Sequence, residues 1–312
     1  MSAPRVSATQ ATEDHSGTGL RRVYSVEGDR QHTNVHYEQP PRFFTAILGD
    51  PWSTYSCNLW ENACNEAESQ QHKLDLLADL MQLKPGQRVL DVGCGWGGHL
   101  VYFAKKYRVS GVGLTLSPLQ REYAQSRVDE ADVDVTILEH HWKEFEDGGC
   151  FDAIYTDEVI VHFNDLEGYF RKVASLLRPN GRMLNKEIHF ASTRWMQVTP
   201  AMLFLNEIYG ETGNYRTLHE ELEILDQAGF LLERLHQIPM QNGHRTVTQW
   251  LENMQVHRKE LEQLVGPEFY RKFRLYLRVT RKIMGGPSMK LDVVVAVPHA
   301  KADADALSET GD

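Results

Sequence analysis

A glycine-rich loop directly after a short apolar run is the feature that most constrains the fold of this chain. Residues 88–98 read RVLDVGCGWGG, so a segment that suits a buried strand enters a turn with glycines at positions 93, 95, 97 and 98. The segment that follows, GGHLVYFAKKY, has the apolar spacing of a helix. A strand, a glycine turn and a helix in this order are typical of a sheet that binds a ligand beyond the carboxyl ends of its strands.

The pattern of strands and helices continues on both sides of the loop. A helix is predicted from about residue 68 to the turn at residues 84–87, and Ser117 and Pro118 suit the N-cap and first turn of another. Further strands are predicted at VSGVGLTL, VTILEHH, FDAIYTDEV and RMLNKEIHF. This alternation predicts an α/β fold with a doubly wound, mostly parallel sheet. We expect a helical arm before the sheet and a helical lid at about residues 190–220, after the fifth strand.

Length and composition indicate one globular domain with short tails. The chain has 312 residues, of which 41% are hydrophobic and 24% charged, and a net charge of -10. We expect a disordered tail over residues 1–20, one domain over residues 21–298 and a second disordered tail over residues 299–312. The four cysteines are scattered, which indicates neither a disulfide framework nor a structural zinc site.

The same composition limits the partners of the chain. No apolar stretch approaches the roughly 18 to 20 residues of a membrane-spanning helix, and the first residues do not read as a signal peptide. We therefore expect a cytoplasmic protein without stable membrane insertion. The acidic balance argues against a nucleic-acid partner, because such binding depends on many Lys and Arg contacts to phosphate. A homo-oligomer is compatible with the sequence.

Two classes of cofactor compete for the glycine loop. A dinucleotide site has the pattern G-x-G-x-x-G, with an acid about 20 residues later for the ribose. Here the pattern is D-x-G-x-G-x-G from Asp91 to Gly97, and the next strand ends in Thr115 rather than an acid. This pattern is typical of S-adenosylmethionine (SAM) sites and places Asp91 near the methionine part of the cofactor. A glycine turn that only packs helix against strand is the remaining alternative.

Longer motifs around the loop resemble one enzyme family. The segments STYSCNLWENACNEAESQQHKLDLLADLMQLKPGQRVLDVGCGWGG, VGLTLSPLQ and HHWKEF are similar to cyclopropane fatty acid synthases and mycolic acid cyclopropane synthases. The resemblance runs from about residue 36 to about residue 297 and implies a Rossmann-like class I SAM-dependent methyltransferase. The residues that it places around SAM are Tyr55, Ser56, Gly93, Gly95, Thr115, Gln120, His141 and Trp142. Thr115 and Gln120 would lie at the ribose and Trp142 beside the adenine, although core packing is the alternative for Trp142.

The chemistry of this family sets demands on the site. An isolated alkene attacks the SAM methyl group, and the carbocation that results must be shielded from water and then deprotonated. Aromatic faces stabilise cations by roughly 0.5 to 2 kcal/mol each. The predicted lid supplies Trp195, Phe204 and Tyr209 for this purpose, together with Phe190. Simple packing is the alternative role for such an apolar stripe.

The residues that hold the base in this family are only partly present. The resemblance implies a bound bicarbonate that takes the proton, held by Cys, Glu, His, Ile and Tyr. Cys57, Ile188 and Tyr276 match three of these positions. The Glu position is Val161, because the family's FEHF is IVHF here, and the His position is Lys186, because LLHTI is LNKEI. We therefore do not expect a complete bicarbonate site.

Two carboxylates are candidates for a replacement base. Glu158 follows the fourth strand, in the region of the catalytic Glu of geranyl diphosphate C-methyltransferases, and we expect it to transfer the proton or stabilise the cation. An N-cap or surface acid is the alternative. Glu187 is the second candidate, and because side chains alternate along a strand, only one of Lys186 and Glu187 can face the site. His162 is retained from the family motif and is more often structural than a base.

The changed base also bears on product and substrate. Loss of a proton from the transferred methyl group closes a cyclopropane, whereas loss from a neighbouring carbon gives a methylated alkene, which a relocated base favours. A net charge of -10 disfavours work at a membrane surface, so a small-molecule alkene, a prenyl diphosphate, is the favoured substrate. The alternatives are a fatty-acyl cyclopropane synthase or acyl C-methyltransferase and, in another class, a SAM-binding sensor without turnover.

A diphosphate would require cationic groups, together with Mg²⁺. Arg194, Arg216 and Arg245 are candidates in the lid and in the approach to TVTQW. A basic stripe is also predicted at Arg271, Arg274, Arg278 and Arg281. A solvated helix face is the alternative for this stripe, because Tyr276 points about 160° away from Arg278 on an α-helix.

Overall fold

A computed structural model describes residues 25–37, 39–148, 151–196 and 214–299, without the side chains of residues 32–36. The helices are α1 (Val26–Tyr37), α2 (Pro41–Leu48), α3 (Glu66–Met81), α4 (Gly98–Tyr107), α5 (Pro118–Ala131), α6 (Leu166–Leu176), α7 (Leu218–Gln227), α8 (Gln241–Val256) and α9 (Arg258–Met284). The strands are β1 (Arg88–Val92), β2 (Ser110–Thr115), β3 (Val135–Glu139), β4 (Phe151–Asp157), β5 (Leu177–Phe190), β6 (Phe230–Ile238) and β7 (Met289–Pro298).

The strands form one sheet in the order β3-β2-β1-β4-β5-β7-β6. The first five strands are parallel, and β7 runs antiparallel to both β5 and β6. Apolar side chains cover both faces of this sheet, as is usual for parallel sheets with helices on either side. The predicted α/β class with a mostly parallel, doubly wound sheet is confirmed.

The local signals for helix ends act as the sequence predicts. The Ser117 side chain accepts a hydrogen bond from the backbone N–H of Gln120 and caps α5, and Pro118 lies in the first turn. Asn65 caps α3 in the same way through the N–H of Glu68. The cap at Ser117 starts α5 directly after the carboxyl end of β2.

The segments outside the sheet cover its carboxyl edge. Tyr55, in the loop after α2, packs against Tyr37 of α1 at 6.1 Å and against Trp250 of α8 at 5.4 Å between ring centroids. The predicted N-terminal helical arm is therefore present and reaches the site. Of the predicted lid at 190–220, residues 197–213, including Phe204 and Tyr209, lie outside the described part. Its described ends are the end of β5, a short 3₁₀ turn at Thr193–Trp195 and the start of α7.

No helix in the described ranges combines the length and the apolar character needed to cross a membrane.

Candidate active site

A cavity of about 330 Å³ lies at the carboxyl ends of the parallel strands. Its walls come from the glycine turn, from the ends of β1, β2, β4 and β5, and from α9. All nine residues predicted to bind the cofactor line this one cavity: Tyr55, Ser56, Asp91, Gly93, Gly95, Thr115, Gln120, His141 and Trp142. The structure thus brings together residues that are up to 87 positions apart in the chain.

The glycine turn leaves space where a cofactor would lie. Gly95 has a φ of +52°, and a Cβ atom placed there would meet no protein atom within 4 Å. Gly93 also has a positive φ, but its Cβ would lie 2.7 Å from the side chain of Val159. Gly93 is therefore required for packing, whereas Gly95 allows the backbone to approach a ligand closely.

The charge of the lining suits a cationic cofactor such as SAM. Five carboxylates line the cavity: Asp29, Asp91, Asp157, Glu158 and Glu187. No Lys or Arg lines it among the residues that the structure describes. Burial raises the pKa of Asp91 to about 7, although the Tyr155 hydroxyl donates a hydrogen bond of 2.7 Å to its carboxylate. A sulfonium or ammonium group in the cavity would favour the ionised form of Asp91.

Other residues of the lining have contacts that suit a nucleoside. The Thr115 hydroxyl donates to the side-chain oxygen of Gln120 at 2.8 Å, and both residues are buried at the wall. Trp142 lines the cavity and also packs against Tyr169 at 5.4 Å. Trp142 therefore has both of the environments predicted for it, a core contact on one side and the cavity on the other.

A buried ionic network joins several residues of the cavity wall to two lysines that do not line it. Nζ of Lys186 lies 2.8 Å from Oδ1 of Asp157 and also contacts Oε1 of Glu158. Nζ of Lys73, from α3, lies 2.9 Å from Oδ2 of Asp157. The same oxygen accepts a hydrogen bond of 2.6 Å from Ser56, and Nε2 of His99 lies 2.8 Å from it. Both lysine side chains are fully buried.

The network fixes the charge states of its members. Burial alone would raise the pKa of Asp157, but Lys186 and Lys73 outweigh it and hold that pKa well below the usual range. Burial lowers the pKa of Lys73. Burial and the charge of Lys73 lower the pKa of His99 to about 4, so this imidazole is neutral at physiological pH.

Glu158 has an unusual backbone and a fixed side chain. Its φ is +60°, a left-handed conformation that costs a non-glycine residue roughly 1 to 2 kcal/mol. Its backbone N–H donates to the carbonyl of Lys186 at 2.7 Å. Its carboxylate accepts the backbone N–H of Cys57 at 2.7 Å, and the Cys57 thiol lies 3.5 Å from its other oxygen. Strained residues of this kind concentrate at functional sites.

The alternative roles for Glu158 do not fit these contacts. The following 3₁₀ turn, Ile160–His162, has Val159 at its N-cap position and receives no side-chain cap. Only 13% of the Glu158 side chain is exposed, so it is not a surface acid. The contacts with Lys186 and with the N–H of Cys57 instead stabilise a negative charge on a carboxylate that lines the cavity.

Glu187 reaches the cavity from the other face of β5. Its two oxygens accept the backbone N–H groups of Ile188 at 2.8 Å and Val161 at 3.1 Å. Burial raises the pKa of Glu187 to about 8. Glu187 lines the cavity and Lys186 does not, in agreement with the alternation of side chains along the strand. At neutral pH, Glu187 is thus mainly a carboxylic acid.

The other predicted catalytic residues take different positions. Tyr276 and His162 line the cavity, and burial lowers the pKa of His162. Cys57 does not line it; its side chain lies behind Glu158, and burial raises the pKa of its thiol well above the usual value. Cys57 is therefore a neutral neighbour of Glu158 rather than a group open to the cavity.

The residues predicted to bind a substrate diphosphate lie away from the cavity. The buried guanidinium of Arg216 donates to the backbone carbonyls of Asn214 at 2.9 Å and Phe163 at 2.6 Å, which makes it a structural residue. The guanidinium of Arg245 stacks on Trp60 at 4.9 Å. Arg194 stacks on Trp195 at the same distance, and neither of these two residues lines the cavity.

The predicted basic stripe also lies elsewhere. Arg271, Arg274 and Arg278 line a separate groove on α9, because Tyr276 and Met284 occupy the side of the helix that faces the cavity. Arg281 lines neither space. No group of three or more His, Cys, Asp or Glu side chains suited to a metal ion occurs in the described ranges, and Mg²⁺ stays a prediction tied to a diphosphate substrate.

Several residues of the site were not predicted from the sequence. Lys73, Asp157 and His99 form the ionic network, and Tyr37 and Tyr215 line the cavity. One signal was available for Lys73, since it lies four residues before Leu77, on a helix face that is apolar from Leu77 onward. A lysine at such a position is buried only when it has a partner, but the partner itself is 84 residues away.

Comparison with known proteins identifies the family. A family model described as mycolic acid cyclopropane synthetase matches residues 25–291. The chain belongs to this family. The cyclopropane-fatty-acyl-phospholipid synthase of Escherichia coli strain K12 is 32% identical over 244 residues, which cover 78% of this chain and 61% of that protein. This chain thus spans about three-fifths of the length of that relative.

Two further relatives match over most of their length. Cyclopropane mycolic acid synthase 2 of Mycobacterium bovis is 31% identical over 294 residues, which cover 86% of this chain and 93% of that protein. The structure of the cyclopropane synthase MmaA2 from Mycobacterium tuberculosis matches with a TM-score of 0.80 at 27% identity, covering 86% of this chain and 97% of that one. The family resemblance is confirmed, and the sheet with its flanking helices matches the Rossmann-like fold of class I SAM-dependent methyltransferases.

Proposed function

We propose that this enzyme transfers the methyl group of SAM to an alkene carbon in an uncharged, apolar chain, the fatty-acyl chain of a lipid. The observation that carries the proposal is the lining of the cavity. It combines carboxylates with aromatic and aliphatic side chains, and no Lys or Arg of the described residues reaches it. The names of the relatives support the same class, since they describe synthases that act on fatty-acyl phospholipids and mycolic acids.

A prenyl diphosphate, favoured by the sequence analysis, has no support in this geometry. A diphosphate needs several cationic donors, and the predicted arginines lie outside the cavity. Residues 197–213, which the structure does not describe, contain neither Lys nor Arg. The preference for a small soluble substrate was based on the net charge of -10, which is an average over the chain and not the charge at the site. A prenyl diphosphate is retained only as a comparison substrate.

The residues at the glycine-turn end of the cavity would hold the cofactor. When bound, SAM supplies an electrophilic methyl group. The Gly95 backbone and Asp91 would lie along its methionine part, and Thr115 with Gln120 at its ribose. The acidic lining attracts the positive sulfonium to this cavity.

The other end of the cavity suits the acyl chain. Ile188, Ile283 and Met284 provide aliphatic walls, and Tyr215 and Tyr276 provide aromatic ones. Once the alkene carbon has taken the methyl group, the positive charge on the neighbouring carbon lies among these rings and carboxylates. Each aromatic face would stabilise it by roughly 0.5 to 2 kcal/mol.

Glu158 is the group in this proposal that removes the proton. Its carboxylate contacts Lys186, accepts a hydrogen bond from the N–H of Cys57, and lines the cavity. If the carboxylate takes a proton from a carbon bonded to the cationic carbon, the electron pair of the broken C–H bond forms a new double bond. If it takes the proton from the transferred methyl group, that electron pair closes a cyclopropane between the methyl carbon and the cationic carbon. Glu187 is the weaker candidate, because burial raises its pKa to about 8 and keeps it mainly protonated.

Glu158 also explains how the family's bicarbonate could be dispensable here. Cys57 and the position of Lys186 are two of the places that the family resemblance assigns to bicarbonate. In this chain both contact the Glu158 carboxylate instead. A carboxylate attached to the chain thus occupies the space between them, and the protein supplies its own base.

A product screen tests this function. The enzyme is incubated with SAM and, separately, with vesicles of unsaturated phospholipid, with a free unsaturated fatty acid, and with isopentenyl, geranyl and farnesyl diphosphates. We expect a mass gain of one CH₂ group in the acyl substrates, and NMR would distinguish a cyclopropane from a methylated alkene. Turnover restricted to the diphosphates would overturn the substrate class, and SAM binding without turnover on any alkene would favour the sensor.

A further inference from the structure

A second groove, of about 320 Å³, lies on the outer side of α9. Four arginines line it together with Tyr270 and Leu275: Arg258, Arg271, Arg274 and Arg278. Tyr276, which lines the cofactor cavity, is two residues from both Arg274 and Arg278, a separation that turns a side chain by about 200° on an α-helix. One helix therefore forms a wall of the cavity with one face and a wall of this groove with the other.

Most of the charge of the groove is not compensated by the described residues. No carboxylate lines it, although the chain has 43 acidic residues against 33 basic ones. Arg258 pairs with Glu262 at 2.9 Å, but Arg271, Arg274 and Arg278 have no ion-pair partner in the described part of the chain. Nε of Arg274 is buried and makes no hydrogen bond. Guanidinium groups arranged in this way repel one another, and a bound anion with several oxygen atoms would satisfy them.

Exposed apolar side chains accompany these arginines. Leu275 lines the groove with 45% of its surface exposed. Val256, next to the groove residue Gln255, is 79% exposed. A helix that presents arginines and large apolar side chains on one exposed face is typical of surfaces that lie on an anionic bilayer. An acidic protein partner would match the arginines equally well, but it would not explain the apolar side chains between them.

We propose that this groove binds the phosphodiester headgroups of anionic phospholipids and docks the enzyme on a membrane. The anion site stands on its own contacts, and the choice of a lipid as its ligand rests on the proposed function. Docking through this face would bring α9, whose Ile283 and Met284 line the cavity, to the surface that holds the acyl chains. The unfavourable net charge of -10 is then irrelevant, because the groove presents a local positive charge to the bilayer.

The test compares vesicle binding by two variants of equal net charge. In the groove variant, Arg271→Gln, Arg274→Gln and Arg278→Gln are combined. In the control variant, Lys84→Gln, Lys105→Gln and Arg121→Gln change exposed residues of the same charge elsewhere. Co-sedimentation is measured with vesicles of phosphatidylglycerol mixed with phosphatidylcholine, and with phosphatidylcholine alone.

We expect the wild-type protein and the control variant to bind the anionic vesicles and not the neutral ones. Each arginine near an anionic surface contributes about fivefold to affinity, so the groove variant should lose more than tenfold. An Arg→Lys version of the same three positions should retain most of the binding, which excludes a folding defect as the cause. Equal binding by the groove and control variants overturns the proposal.

Two further arms distinguish the source of the anion. If inorganic phosphate stabilises the wild-type protein against thermal unfolding while anionic vesicles do not bind, the groove is a site for a soluble anion and the membrane proposal is wrong. If only an acidic protein binds, the proposal is also wrong. Turnover on detergent-dispersed acyl substrate separates the two proposals: turnover without vesicle binding contradicts only the docking, and vesicle binding without turnover contradicts only the proposed function.

Discussion

The backbone N–H of Cys57 lies 2.7 Å from Oε1 of Glu158. Because Nζ of Lys186 contacts the same oxygen, three separate segments of the chain meet at one carboxylate. These segments are the loop after α2, the end of β4 and the middle of β5. The fold therefore holds the Glu158 carboxylate in one position. Several predictions depend on that position.

The glycine turn predicts loss of cofactor binding in Gly95→Val. A side chain there would project into open space at the cavity wall, and valine disfavours the left-handed φ of +52°. Gly86→Val is the matched control, because Gly86 also has a positive φ and open space but lies outside the cavity. Calorimetry should show no SAM binding by the first variant and normal binding by the second. Normal SAM affinity in Gly95→Val would show that the cofactor does not lie against this turn.

The ionic network predicts a large stability loss in Lys186→Met. Removal of this fully buried cation leaves the carboxylates of Asp157 and Glu158 without their shared partner, which typically costs about 3 to 5 kcal/mol. The control is Arg171→Met, which breaks an exposed pair with Glu167 and should cost less than about 0.5 kcal/mol. Urea unfolding measures both free energies. A cost for Lys186→Met as small as that of the control would mean that the network does not hold these carboxylates in place.

A second buried cluster predicts a pH dependence of stability. His189 lies between Glu221 at 2.6 Å and Asp292 at 3.1 Å. Burial lowers the pKa of this imidazole, but the two carboxylates outweigh it and raise that pKa from 6.5 to about 10. Its stabilising effect is therefore complete below pH 6.5 and is lost as the pH rises from 6.5 to about 10.

We expect urea unfolding of the wild-type protein to lose on the order of a few kcal/mol between pH 7 and pH 10. His189→Gln should be less stable at pH 7 and should lose much less across the same range. His244→Gln, which changes an exposed histidine, should follow the wild-type curve. Parallel curves for His189→Gln and the wild type would show that His189 is not charged in the folded protein.

The replacement of two family positions predicts an activity that does not depend on bicarbonate. Val161 provides no polar side chain, and Lys186 is already engaged by Asp157 and Glu158. Initial rates in rigorously degassed buffer should therefore be the same with and without added bicarbonate. Strong stimulation by bicarbonate would instead show that bicarbonate, and not Glu158, is the base.

Much of this architecture could be predicted from the sequence because its signals are local. The glycine turn, the cap at Ser117 and the apolar runs each act within a few residues, and they led to the parallel part of the sheet and to the cofactor. The antiparallel strands β6 and β7 were not predicted, since β6 is an exposed edge strand without a clear alternation of apolar residues.

The site itself was only partly predictable, because its contacts join distant positions. Lys73 and Asp157 are 84 residues apart in the chain, and no local sequence pattern predicts that they pair. Arginine positions were equally ambiguous. From the sequence alone, Arg216 suits either substrate binding or hydrogen bonds to backbone carbonyls. The fold shows that it makes the hydrogen bonds to backbone carbonyls. Net charge was misleading for a similar reason, because it does not report the separate positive groove on α9.

The most direct test of the account compares turnover in Glu158→Gln and Glu187→Gln on the best acyl substrate from the product screen. Each substitution preserves size and removes one carboxylate from the cavity wall. A well-placed base contributes roughly 10²- to 10⁴-fold, so Glu158→Gln should lose turnover by that range while its SAM affinity by calorimetry stays unchanged. Glu187→Gln should retain much more activity, because that carboxyl group is mainly protonated at neutral pH. If Glu158→Gln stays within a few-fold of the wild type while Glu187→Gln loses its activity, the base is the acid on β5 and the central claim is wrong.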